Sequence, residues 1–188
     1  MKHFISIFFS ALIFFITLSA HALVTEIGIN YGYQKKTFNQ KNYYQSDSKA
    51  ATVSIYFLEK FALELGYTDS FYESQESDSS STRVVQQSSQ TTGADLIYVI
   101  TDKTALLQPY IKGGTAYISK KKQIKYVNAD VITIPTKNGF APSYGLGVKF
   151  KLNEQFSFKI GYDVWQTPLD DGSSTDDASF KAGISMYL

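Results

Sequence analysis

The chain has 188 residues and no cysteine, and its formal charge of +1 falls to about zero without Lys2. A disulfide framework and a thiolate metal site are excluded, and nothing in the charge points to nucleic acid. Tyr and Phe are abundant at 14 each, and every Tyr lies beyond residue 22, in a chain long enough for one domain.

Residues 1–22 read as a cleaved secretory signal peptide rather than part of the fold. Lys2 and His3 make a weakly basic start, an almost unbroken apolar run follows to Leu18, and Ala20-His21-Ala22 is a small-residue cleavage site. The apolar run is short for a membrane-anchor helix, which needs about 20 residues. No Cys follows, so a lipoprotein anchor is excluded. The mature domain is then 23–188.

Strands follow in alternating pattern, because successive side chains of a strand point to opposite faces. The first spans 25–33, with Ile27, Ile29, Tyr31 and Tyr33 opposite Glu26, Gly28, Asn30 and Gly32. Residues 35–48 are polar and read as a loop. The second strand, 49–58, sets Ala51, Val53, Ile55 and Phe57 against Thr52, Ser54 and Tyr56, and Glu59-Lys60 turns the chain. The third, 61–72, opens with Phe61-Ala62-Leu63-Glu64-Leu65-Gly66-Tyr67. Residues 73–92, rich in Ser and Gln without apolar periodicity, read as a long exposed loop.

The fourth strand, 94–100, is apolar on both faces; Asp95 belongs inward, which leaves Leu96, Tyr98 and Ile100 outward. Asp102-Lys103 makes a short turn. The fifth, 107–118, is phased by Lys112, because a lysine on lipid at mid-membrane costs about 2–4 kcal/mol. Tyr110, Lys112, Gly114 and Ala116 therefore face inward. Residues 119–140 form a basic excursion with Lys120, Lys121, Lys122, Lys125 and Lys137, in which 131–134 suit a hairpin above the membrane.

The sixth strand, 143–152, alternates Tyr144, Leu146, Val148, Phe150 and Leu152 with Gly145, Gly147, Lys149 and Lys151. Asn153-Glu154 turns into the seventh, 156–165. Its Phe156-Ser157-Phe158-Lys159-Ile160-Gly161-Tyr162 repeats the aromatic, small, apolar, charged, apolar, Gly, Tyr pattern of the third strand. Residues 166–177 form an acidic loop whose Asp170, Asp171, Asp176 and Asp177 do not match calcium-loop spacing. The eighth strand is 180–188.

Eight strands, three very short turns on one side and four long polar loops on the other describe an antiparallel transmembrane β-barrel in an outer membrane, with both termini periplasmic. A soluble lipocalin-like barrel alternates too. Its solvated face would carry many long charged side chains. Here the polar face is Gly, Ser, Ala, Thr and Asn with one or two charges per strand, which suits a narrow lumen, while Tyr33, Tyr67, Tyr117 and Tyr162 suit interfacial girdles.

In these features the chain resembles the small eight-stranded outer-membrane barrels, the transmembrane domain of outer-membrane protein A and its short relatives. Pro109-Tyr110-Ile111-Lys112-Gly113-Gly114-Thr115-Ala116-Tyr117 is similar to their Pro-Tyr-x-Gly-x-Gly-x-Gly-Tyr strand, departing at Lys112 and Ala116. Tyr144-Gly145-Leu146-Gly147-Val148, followed by a turn and an aromatic-Gly-Tyr strand, is similar too. The ending Gly183-Ile184-Ser185-Met186-Tyr187-Leu188 resembles the signal read by the barrel-assembly machinery, with Leu188 where Phe is usual. The resemblance implies an architecture, not an activity. Lipid A deacylases and palmitoyltransferases of similar architecture use a catalytic His, but His3 and His21 leave with the signal peptide.

Two groups of residues remain as candidate sites. Glu26, Glu64, Lys112 and Lys159 each precede a lumen-facing Gly by two residues on outward-running strands. They are expected at comparable depth, pairing across the lumen, with Lys149, Asp163 and Lys181 joining at other heights. Such a network is either a structural plug or a gate that exchanges partners. Outside, Lys120, Lys121, Lys122 and Lys125 are candidates to meet lipopolysaccharide phosphates or an acidic host glycan, or else simply keep a hairpin solvated. The favoured function is a monomeric surface barrel displaying loops for adhesion, host or envelope contact. The runner-up is a narrow ion-pair-gated pore, and a lipid-modifying enzyme stands third. No cofactor is called for.

Overall fold

Following cross-strand partners around the sheet closes a ring. From Glu26 the register runs through Ser54, Glu64, Asp95, Gly114, Ser143 and Trp165 to Asp177. Glu26 itself pairs with Tyr187, so the circuit returns ten residues displaced along the last strand. That stagger goes with strands tilted by about 35–45° and a lumen just wide enough for side chains.

The computed structural model describes residues 24–188 apart from 40, 78–81, 127–129, 135, 137 and 169–173. The expected signal peptide with Ala20 and Ala22, and Lys137, Asp170 and Asp171, lie outside the described residues. The strands are β1 (Val24–Asn39), β2 (Asn42–Tyr56), β3 (Phe61–Ser77), β4 (Thr82–Val99), β5 (Leu107–Tyr126), β6 (Ile132–Ile134), β7 (Gly139–Lys151), β8 (Phe156–Pro168) and β9 (Ser174–Tyr187). All pairings are antiparallel. Every strand but β6 joins the ring, which closes through β4–β5 and β1–β9. β6 pairs only with Lys122, Gln123 and Ile124 of β5, which supplies the hairpin expected above the membrane.

Alternation sorts the faces as lipid solvation requires. Ile29 is 73% exposed and Leu146 59%, whereas Lys149 is fully buried and Glu26 and Glu64 nearly so. A soluble barrel would reverse this. Tyr33, Tyr67, Tyr117 and Tyr162 all lie exposed on the outer face. Near the short-turn end, Phe61 packs against Phe57 and Tyr98, and Phe150 against Phe158, forming an aromatic belt.

The loop expectations need correcting. Residues 35–48 and 73–92 are mostly strand. β1 and β2 stay in register from Val24 and Tyr56 to Thr37 and Tyr43, and β3 and β4 from Phe61 and Tyr98 to Ser77 and Thr82. Above the membrane both faces of a strand meet water, so hydropathy no longer alternates and the pattern that reveals a strand vanishes. Ser, Thr and Gln still satisfy the ladder. The short-turn side holds no surprise of that kind. Residues 57–60 are held by Phe61 and Leu58 exchanging backbone hydrogen bonds, and Asn153 Oδ1 accepts from the N–H groups of Gln155 and Phe156. The connection 100–106 is longer than a tight turn.

Candidate functional site

Because the strands are tilted, equal sequence spacing from a glycine does not mean equal depth. Glu64, Lys112 and Lys159 come together as expected, but Glu26 lies apart from them, and the lumen charges form three tiers in all. In the lowest, Lys149 on β7 donates to Glu26 on β1 and to the Tyr56 hydroxyl, and Tyr56 donates to Glu26 at 2.7 Å. The ammonium also lies near the rings of Tyr56, Tyr110 and Tyr187, at 5.2, 5.7 and 6.0 Å. Glu26 thus pairs with Lys149, not with Lys112 or Lys159.

The middle tier centres on Glu64 of β3. It accepts from Lys159 at 2.7 Å, Lys112 at 3.0 Å and the Ser54 hydroxyl at 3.2 Å. Lys112 also meets Asp163 at 3.0 Å and Asp95 at 3.2 Å, so three carboxylates surround one ammonium. Ser143 donates to Asp95. In the upper tier Lys181 donates to Asp163 at 3.1 Å and to Thr68 at 3.0 Å, and lies 4.8 Å from the Trp165 ring centre.

Asp95, assigned inward but not to the network, is its missing acid. With it, four carboxylates (Glu26, Glu64, Asp95, Asp163) balance four ammonium groups (Lys112, Lys149, Lys159, Lys181). The inward phase of Asp95 was the signal that could have placed it in the network. Space for the aromatics comes from paired glycines. Gly147 faces Gly161 across β7 and β8, and a Cβ on either would meet the Tyr110 phenol.

The lysines of the third excursion do not make one patch. β5 continues as a strand to Tyr126, so its side chains alternate. Lys120 turns inward and pairs with Asp177 of β9, and Lys122 also faces inward. Lys121 and Lys125, on the opposite phase of the strand, are exposed.

Above the tiers the lumen opens into a cup of about 920 Å³. Its walls carry Ser46, Ser48, Ser70, Ser89, Tyr44 and Tyr72 among others, and Trp165 lines it too. Outside the cup, Glu73 accepts from the Tyr43 hydroxyl at 2.5 Å and from the Gln86 amide at 2.6 Å. These bonds, the Tyr43 one first, hold its carboxyl below the ordinary value of 4.5. Among the described residues no group of three or more His, Asp or Glu side chains is placed to hold a metal ion.

A ring of eight antiparallel strands with an apolar outer face and a charge-balanced lumen is a small transmembrane β-barrel. The chain belongs to the outer membrane protein beta-barrel domain family, whose model matches residues 8–186. No curated protein sequence matches it. Among solved structures it is similar to Neisserial surface protein A, NspA, with a TM-score of 0.59 and 11% identity over 88% of this chain and 97% of that one. It is similar to OprG of Pseudomonas aeruginosa, with a TM-score of 0.59 and 12% identity over 88% and 95%. It is also similar to Ail, the attachment invasion locus protein of Yersinia pestis, in complex with the heparin analogue sucrose octasulfate. There the TM-score is 0.57, with 14% identity over 88% and 99%. At these identities the likeness is one of fold. The protein sits in the outer membrane of a Gram-negative bacterium.

Proposed function

We propose that this protein is a closed barrel that carries a recognition surface outside the cell. The observation that supports this best is the contrast between the two ends of its lumen. Eight charged side chains, each with an opposite partner, fill the membrane-level interior. The β1–β2 and β3–β4 hairpins, by contrast, run on past the aromatic girdle. An eight-stranded lumen holds side chains and little else, so binding energy lies in the extensions. No catalytic step is assigned, since both histidines fall in the expected signal peptide. In this reading the exposed Lys121 and Lys125 meet lipopolysaccharide phosphates, and the C-terminal strand meets the barrel-assembly machinery.

Refolded protein in planar bilayers tests the closure, and cells producing it on epithelial monolayers test the display. The informative variant replaces 75–84 with Asn-Gly, which joins Ser74 to Val85, residues that already face each other. No discrete conductance, with adhesion lost in the shortened variant, is expected. Stepwise conductance by the wild type would overturn the closed barrel. It would favour an ion-pair-gated conduit, for which Lys112 among three carboxylates is the one supporting feature.

A further inference from the structure

The cup differs chemically from everything below it. Its volume of about 920 Å³ lies at the upper end of the range of small-molecule sites. One wall, from β2 and β3, presents the hydroxyls of Ser46, Ser48, Ser70 and Ser74, and Ser89 and Thr91 of β4 continue it. The adjoining wall, from β5 and β6, presents Ile118, Ile124 and Ile134, with Ile118 directly beside Thr91. Three aromatics join them: Tyr44 and Tyr72, edge to face at 4.9 Å, and Trp165. Lys181 takes one face of the Trp165 ring and fixes its position.

The charges lining the cup are largely spent on each other. Arg83 pairs with Glu76, and Lys120 with Asp177. That leaves Lys122 and Asp176, one of each sign, with no ion pair among the described residues. Such a site has no net charge with which to hold an anion. It offers many uncharged donors and acceptors, an apolar wall and aromatic edges and faces. A ligand that matches has hydroxyls on its edges and C–H groups on its faces.

We infer that the extracellular cup is a binding site for a neutral saccharide, gripped by the serine wall and stacked on Tyr72 and Trp165. This rests on the recognition reading above and names its ligand class. The sugar has two possible sources with the same chemistry: a glycan of another cell's surface, or the neutral O-polysaccharide of the producing bacterium.

Trp165 is the sole tryptophan of the chain and lines the cup, so its fluorescence responds to a ligand bound there. The test uses the mature chain refolded in a zwitterionic detergent without a sugar head group. It is titrated separately with N-acetyllactosamine, with O-polysaccharide released from the producing strain, and with a heparin disaccharide. A saturable change with at least one neutral sugar is expected at millimolar concentration. It should be about tenfold weaker in Tyr72→Ala and in Ser89→Val, and unchanged in the outward-facing Gln90→Ala. Response to N-acetyllactosamine alone identifies a foreign glycan, and response to the polysaccharide alone a glycan of the producer. Silence with both neutral sugars, binding of the heparin disaccharide only, or affinity indifferent to Tyr72 and Ser89 would overturn the inference. If adhesion depends on the β3–β4 extension while these titrations are silent, the display reading survives and the saccharide site falls.

Discussion

The lower lumen and the extracellular cup are built from the same strands and the same inward-facing phase, yet they are filled in opposite ways. Below, long charged side chains from facing strands meet in the middle and leave no room. Lys149 is fully buried, and Glu64 takes two lysines at once. Above, serines and threonines are too short to span the lumen, although Ser48 and Ser179 meet at 3.2 Å, so the same circumference encloses about 920 Å³ of space. The difference teaches that side-chain length, not strand number, decides whether this barrel is closed. It also separates two kinds of polar residue. Buried charges need their partners, because an ion left alone out of water is costly. Hydroxyls facing a wet cup do not.

Breaking the lower lumen should therefore cost far more than altering the cup. Glu64→Ala strands Lys159 in the interior and leaves Lys112 only Asp95 and Asp163, and about 3–5 kcal/mol of stability should be lost. The midpoint of urea unfolding, followed by the Trp165 signal of the refolded barrel, measures it. Gly147→Ala comes next. The new methyl meets the Ile160 carbonyl and the Tyr110 phenol, and a loss of about 1–3 kcal/mol is expected in the same assay.

Removing both members of a pair sharpens the comparison. Glu26→Gln combined with Lys149→Met should cost less than either change alone, since no unpaired charge remains. A double change as costly as the sum of the singles would mean that the pair was not the main interaction at either site. In the cup, Ser89→Val should shift stability by no more than about 0.5 kcal/mol, whatever it does to ligand affinity.

The smallest expected effect is local and depends on pH. The folded-state pKa of Glu73 is depressed by hydrogen bonds from Tyr43 and Gln86. Its contribution is therefore complete above the ordinary carboxyl value of 4.5 and is lost as pH falls through the lower folded value. Amide exchange in the outer parts of β2, β3 and β4 should accelerate on acidification, after correction for the intrinsic rate. Glu73→Gln should remove that acceleration, while the membrane-level strands exchange slowly throughout.

Within the membrane, the sequence was legible almost residue by residue. The inward phase of Lys112, the outward phase of Leu96 and the turn at Asn153 follow from one constraint. Lipid on one side and a cramped lumen on the other force a period of two. Outside the membrane the same constraint lapses. Residues 73–92 then read as a loop although β3 and β4 pair through Ser77 and Thr82. The clustering of Lys120, Lys121, Lys122 and Lys125 likewise looked like a patch, because a loop reading carries no alternation to divide it.

The partners inside the lumen were less accessible still. Local spacing from glycine put Glu26, Glu64, Lys112 and Lys159 at one depth, whereas the ten-residue stagger of the closed ring keeps the last three together and hands Glu26 to Lys149. By itself, then, the sequence determined the barrel, its orientation and which side chains face inward, since each depends only on neighbours along one strand. The tiers, the place of Asp95 among the charges and the open cup were decided by closure. Stagger is a property of the whole ring, and no single strand encodes it.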